Sequence, residues 1–295
     1  MAVTVTTILQ KALRRIGQME VTTATGGSTT TAIDTKLSDR YGDDDLVDGT
    51  LFVIRDAAGA SALPEGQFAR ISAYAESTNT ITVDTAITAV ASGDTIGIVK
   101  PTYPLWLMIE ILNDALAALG ELILPDTTNF TFAANQREYA WPVAEMRRVP
   151  ARIEIQGITT DSNDNRWTDL YGWDVVTASP GSTGLIVFRS QYPVGYKAKV
   201  SYYGEHPRVN AYSDVISETV HSELITALTV EKALQWQNDR TAGTDEYLLQ
   251  RLNKAMADSA DAMLRYPRWR PEKKARILTP GQYARYDEFT TPPPA

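Results

Sequence analysis

Residues 223–228 read Glu223-Leu224-Ile225-Thr226-Ala227-Leu228, and residues 246–252 read Glu246-Tyr247-Leu248-Leu249-Gln250-Arg251-Leu252. Both carry the three-to-four-residue apolar period of an amphipathic helix. The first pattern predicts a helix over about Ser213 to Asn238, with Val220, Leu224, Ala227, Leu228 and Leu234 on its stripe. The second predicts a helix over about Asp245 to Leu264, with Leu248, Leu252, Ala255, Ser259 and Met263 inward. Asp239–Thr244 is short and contains Gly243, so the two should form an antiparallel hairpin.

Working outward, Ile8, Leu9, Ala12, Leu13 and Ile16 repeat the same period, with Gly17 as C-cap and Lys11, Arg14 and Arg15 on other faces. A fourth helix follows Pro101 and Pro104. Leu105, Met108, Ile109, Leu112, Leu116, Leu119 and Ile123 mark its stripe, and Pro125 is expected to stop it. Between these helices lie two β-type blocks. In the first, 18–100, strands are expected at Leu51–Arg55, Phe68–Tyr74, Thr80–Asp84 and Thr95–Val99, with Ala24–Thr31 as a loop. In the second, 127–205, strands are expected around Phe130–Phe132 and at Arg152–Gln156, Leu185–Arg189 and Ala198–Tyr203. The predicted fold class is therefore α+β. A helical-bundle core of about four helices (1–17, 101–126, 206–264) is interrupted by a small β-barrel or sandwich (18–100) and a second sandwich-like insertion (127–205). An extended C-terminal arm (265–295) follows.

Composition narrows the chemistry. The 295 residues include no cysteine and two histidines, His206 and His221. That excludes disulfides, thiolate metal sites, a cysteine nucleophile and a three-histidine metal site from one chain. No G-x-S-x-G, Walker loop or H-E-x-x-H occurs, so no catalytic residues, no metal ligands, no cofactor and no enzymatic activity are expected. Asp43-Asp44-Asp45 with Asp48 reads as a solvated acidic loop. Asp161–Asn165 begins like a calcium loop but has Arg166 at the sixth position and Gly172 at the twelfth, where glycine and glutamate are needed. No apolar run is long enough to span a membrane, and no basic segment precedes an apolar stretch at the N-terminus.

The net charge of −8 conceals a division. Residues 1–264 hold 33 acids against 21 bases, whereas the last 31 residues hold three acids against seven bases. The arm interleaves Arg265, Arg268, Arg270, Lys273, Lys274, Arg276 and Arg285 with Trp269, Tyr283, Tyr286 and Phe289, and is rich in proline. Bases among aromatics suit anchoring in a protein groove or stacking on single-stranded nucleic acid. The tryptophans and tyrosines of the second block suit a sandwich core, an interface, or stacking on sugars.

Together these segments resemble the head-to-tail connector (adaptor, or head-completion) proteins of tailed bacteriophages. The resemblance rests on Thr7-Ile8-Leu9-Gln10-Lys11-Ala12-Leu13-Arg14-Arg15-Ile16-Gly17, on the hairpin quoted above, and on the run from Gly66 to Tyr74 with Asn79–Asp84 and Gly93–Ile96. Arg148-Val149, Trp167, Leu170, Trp173 and Val200-Ser201-Tyr202-Tyr203 extend it through the second block. It implies a virion protein made in the host cytoplasm and placed at the neck, self-associating as a ring (commonly a dodecamer). The ring would bind the portal through the arm, meet tail or further neck proteins, and pass DNA through its lumen without sequence specificity. Acids over Ile216–Leu264 fit such a lumen, since like charge keeps phosphates from sticking. The channel-facing candidates are Glu218, Glu223, Glu231, Asp239, Asp245, Glu246, Asp258 and Asp261. Two other functions fit parts of the pattern: a carbohydrate-binding tail or baseplate component, and a nucleic-acid-binding protein acting through its arm.

Overall fold

The computed structural model describes residues 3–59, 63–141, 150–156, 167–176, 184–241 and 243–268. The chain divides into two compact units. The first takes Met1–Leu119 and Pro207–Arg268, the second Gly120–His206.

In the first unit a two-residue strand β1 (Val3–Thr4) leads into α1 (Val5–Ile16). The Thr4 side chain accepts the Thr7 N–H, and Gly17 ends the helix at φ 74°, a left-handed cap that glycine adopts without a Cβ penalty. A seven-stranded antiparallel sheet follows. Its strands are β2 (Met19–Thr23), β3 (Gly26–Gly27), β4 (Thr31–Ile33), β5 (Thr50–Arg55), β6 (Phe68–Ala75), β7 (Thr80–Val83) and β8 (Thr95–Val99), in the order β2-β8-β5-β6-β7-β4-β3. Alternation sets its register: in β7, Ile81 and Val83 point inward and Thr80 and Thr82 do not. Leu51, Val53, Ile71, Ile81, Ile96 and Ile98 then share one core with Leu37, Leu46, Ile87 and Val90.

The acids of this module are structural. The Asp43 carboxylate accepts the Glu76 N–H at 2.7 Å and that of Asp45 accepts the Gly42 N–H at 2.8 Å, while Asp48 pairs with Arg70. Asp43 and Asp45 thereby fix exposed loop backbone, and Asp48 ties its loop to the β6 side chain of Arg70.

The chain then forms α2 (Leu105–Ala118) and, after the second unit, β16 (Val215–Ile216), α3 (Ser222–Arg240) and α4 (Glu246–Arg265). β16 pairs with β1, and the Val5 N–H donates to the Asp214 carbonyl at 3.0 Å. α3 is central and packs against α1, α2 and α4. It is buried continuously from Leu224 to Val230. Its Thr226 and Thr229 hydroxyls donate back to the Ser222 and Ile225 carbonyls at 2.7 Å, so neither threonine presents an unsatisfied group to the core.

The second unit holds two sheets. One runs β12 (Thr168–Asp169), β11 (Arg152–Gln156), β15 (Lys197–Gly204), β9 (Leu122–Thr131), and the other β10 (Glu138–Ala140), β14 (Leu185–Phe188), β13 (Trp173–Val176). Phe132, Tyr139, Phe188 and Tyr192 meet edge to face or tilted, with centroids 4.8–5.8 Å apart. Buried Glu154 is held by Lys199 at 2.8 Å and Arg152 at 3.1 Å.

The expectation of a helical-bundle core is overturned. Against four helices stand sixteen strands in four sheets among the described residues, so the protein is a β-rich mixed α/β fold. Apolar runs read as helix account for part of the difference. α2 stops at Ala118, Gly120 turns the chain at φ 64°, and Leu122–Thr131 is a strand pairing with β15. Pro125 sits inside that strand rather than ending a helix. It is tolerated because β9 is an edge strand, where a missing N–H costs no ladder bond on the outer side. α3 likewise begins at Ser222 instead of Ser213, because Val215-Ile216 is drawn into the pair with β1. Ala24–Thr31 is a small hairpin rather than a loop: Gly26 and Gly27 pair with Ile33 and Ala32. A Cβ on Gly27 would lie 2.5 Å from the Thr31 carbonyl oxygen, so only glycine fits there.

Candidate assembly surface

α4 lies on α3 through a narrow stripe. Leu248, Ala255, Ser259 and Ala262 are its buried residues, and the Ser259 hydroxyl donates to Glu231 of α3. Asp245 caps the helix by accepting the Leu248 N–H at 3.2 Å. At the other end Tyr266 stacks flat on His221, with centroids 3.8 Å apart and an interplanar angle of 2°. His221 is also the N-cap of α3, its Nδ1 accepting the Glu223 N–H at 3.2 Å. The start of α3 and the end of α4 are thus fastened together.

On either side of that stripe α4 has two unlike flanks. At 3.6 residues per turn, Arg251, Lys254, Asp258, Asp261 and Arg265 fall together with Tyr247 on one side. They wall a groove of about 660 Å³ whose floor is Ala227, Val230, Leu234, Ala255 and Ala262. Arg15 and Glu223 close its α1 end.

Some of the charges around the groove are paired. Glu223 pairs with Lys11 at 3.1 Å and with Arg15. Asp261 pairs with Arg265 at 2.8 Å, and the Arg251 guanidinium donates to the Ile16 carbonyl while lying over Tyr247. Burial pushes the Glu223 carboxyl up, but the hydrogen bonds and charges of Arg15 and Lys11 outweigh it and hold the group below the usual range.

The opposite flank has no charge after Glu246. Leu249, Leu252, Met256, Ala260 and Met263 line it, bordered by Asn253, Ala257 and Leu264. Met256 is 50% exposed, Met263 45% and Leu264 83%. Leu249, Met256 and Met263 are spaced by sevens, the seam of a helix that packs on another helix.

The sequence-predicted residues distribute as follows. Glu223 and Glu231 are bound within the helical layer, to α1 and α4 respectively. Glu218, Asp239, Asp245, Glu246, Asp258 and Asp261 are exposed. Of the arm, Arg265 pairs with Asp261 and Arg268 is exposed, while Trp269, Arg270, Lys273, Lys274, Arg276, Tyr283, Arg285, Tyr286 and Phe289 lie outside the described residues. The calcium-like stretch Asp161–Asn165 and Arg148-Val149 also lie outside them. Among the described residues no group of three or more metal-ligating side chains occurs, and no helix is long and apolar enough to cross a membrane.

The uncharged flank of α4 escaped the sequence reading, which turned Met263 inward with Leu248. The signal was present in the heptad Leu249, Met256, Met263 and in the confinement of charge to one side.

No protein-family model matches the chain. No curated protein matches it either.

Proposed function

We propose that this chain is a structural component of a tailed-bacteriophage particle. In this reading it assembles into a ring at the neck, between portal and tail, through which DNA passes without sequence-specific contact. The observation that carries the reading is the exposed, uncharged flank of α4 beside a groove with an apolar floor. An exposed helix face of this kind suits contact with another protein chain.

The segments behind the resemblance to connector proteins support it: α1, α3 and α4 are helices, and α3 packs on both of the others. The exposed acids Glu218, Asp239, Asp245, Glu246, Asp258 and Asp261 supply the negative charge that lets DNA slide. The basic, aromatic segment 265–295 is assigned to the portal, and the β-rich second unit to tail or further neck proteins. Several aromatics of that unit, which would otherwise suggest a sugar platform, instead pack on one another around Phe132 and Phe188.

Gold-labelled antibody against the chain, applied to particles released from cells that express it, tests the proposal. Label at the head–tail junction is expected. Particles without label, or with label confined to the distal tail or its fibres, would overturn it.

A further inference from the structure

We infer that Tyr266 and His221 form an aromatic latch that fixes where the basic segment 265–295 leaves the first unit, with Tyr266 as its positioning residue. The latch rests on the assignment of that segment to a protein partner above, and adds how the segment is presented to it.

Three observations place the exit. The first is the backbone. α4 closes with the Tyr266 N–H donating to the Ala262 carbonyl at 2.9 Å, and Tyr266 itself has left the helical conformation at φ −121° and ψ 70°. Pro267 follows. Its ring disfavours a helical residue before it and it has no N–H to give, so α4 cannot run on past this point.

The second is the ring pair. Tyr266 lies flat on His221, at 3.8 Å between centroids. His221 is itself held, because its Nδ1 accepts the Glu223 N–H at 3.2 Å as the cap of α3. The tyrosine at the root of the segment therefore stacks on a ring whose orientation another helix has already set.

The third is charge. Glu223, two residues beyond His221, is paired with Lys11 and Arg15, and Asp261, one turn before Arg265, is paired with that arginine. Neither is left to draw the bases that follow back onto the helices. Arg268, just past the latch, is exposed. A segment held at its root has less freedom to lose on docking than one swinging from a loose helix end, so the latch strengthens docking without touching the partner.

The absence of cysteine makes the test direct, because Arg268→Cys gives the full chain a single thiol for a nitroxide label. Electron paramagnetic resonance then reads the mobility of the segment's root. His221→Asn keeps a good N-cap for α3 but removes the ring, and Tyr266→Leu removes the aromatic face while keeping apolar bulk. Each should raise the ratio of mobile to immobile label roughly 2- to 13-fold, the worth of one aromatic pair. The two together should do no more than either alone, and Tyr266→Phe should match the native chain. Helical circular dichroism should stay unchanged throughout.

A label equally mobile in the native chain and in His221→Asn or Tyr266→Leu would overturn the latch. So would effects of the two variants that simply add, or a Tyr266→Phe chain as mobile as Tyr266→Leu. Loss of helical signal in both would also overturn it, since the pair would then be holding α4 itself and not the exit. None of these readings involves another protein. A failed latch therefore leaves the neck assignment to the antibody labelling, and particles without label leave the latch standing.

Discussion

Asn113 of α2 is buried at 7% exposure and makes two hydrogen bonds to one residue. Its Nδ2 donates to the Val209 carbonyl and its Oδ1 accepts the Val209 N–H, both at 2.9 Å. Val209, at 3% exposure, belongs to the segment that returns the chain to the first unit, and no strand or helix satisfies its backbone there. Replacing Asn113 by Leu removes both partners. It leaves a buried N–H and a buried carbonyl unpaired, at about 1–3 kcal/mol each, so unfolding should become easier by roughly 2–6 kcal/mol.

Asn113→Asp is nearly isosteric and keeps the acceptor for the Val209 N–H, but it turns a carboxylate oxygen toward the Val209 carbonyl. At neutral pH its cost should match that of leucine. On acidification the introduced carboxyl takes a proton and can donate to that carbonyl again. Its folded pKa is therefore raised above the ordinary value of about 3.9. The sign follows: the restored stability is present below that ordinary value and is lost as pH rises through the raised one. Urea unfolding followed by far-ultraviolet circular dichroism, at neutral pH and near pH 4, should show the aspartate variant recovering relative to the native chain while the leucine variant does not. An aspartate variant within about 0.5 kcal/mol of the native protein at neutral pH, or one whose deficit ignores pH, would refute the bracketing role of Asn113.

Three further outcomes are expected. Glu223 is held below the ordinary carboxylate range, so its contribution is present above that range and is lost as pH falls through the folded value. Glu223→Gln should flatten the acid side of a melting-temperature profile, by less than about 1 kcal/mol because the pair is partly exposed. Burial pushes the Tyr103 phenol up to about 12, outweighing nearby Arg251, and its hydroxyl donates to Gln237 of α3. Its contribution is complete below the usual value near 10 and disappears as pH rises from there toward 12. Ultraviolet titration should lose one late-ionising tyrosine in Tyr103→Phe, while late ionisation of Tyr41, Tyr74 and Tyr192, also raised by burial, persists, and the variant should cost about 1 kcal/mol. Gly27→Ala should destabilise the first unit by about 1–3 kcal/mol, measured by thermal unfolding, because the new methyl meets both the Thr31 carbonyl and Val90.

Much of the local structure was legible residue by residue. α1 and its Gly17 cap, the strands at Phe68–Ala75, Thr80–Val83, Thr95–Val99 and Arg152–Gln156, and the helical hairpin all follow from period and punctuation. The errors share one cause. Leu119-Gly120-Glu121-Leu122-Ile123-Leu124 continues the helical stripe of α2 in spacing, yet its last three residues lie opposite Tyr202–Gly204 in a sheet. Val215-Ile216 fits a helix start equally well but pairs with Val3-Thr4, more than two hundred positions away. Short apolar runs satisfy either period, and the partner that decides between them is remote in the chain. The acidic candidates divided for a similar reason. Glu223 and Asp258 look alike in sequence, but only the first lies within reach of Lys11 and Arg15.

The sequence by itself determined which segments turn, cap and alternate, that no cysteine chemistry is available, and that the basic charge is gathered at the C-terminal end. Those properties depend on neighbours within a few residues or on composition alone. Only the tertiary structure decided that the fold is β-rich, that α3 is covered on several sides, and that α4 uses Leu248, Ala255, Ser259 and Ala262 for contact while leaving Met256 and Met263 outside. A helix with apolar residues over more than one face has several ways to dock. The choice between them comes from the side chains that α3 presents: Glu231 to receive Ser259, and Ala227, Val230 and Leu234 to floor the groove.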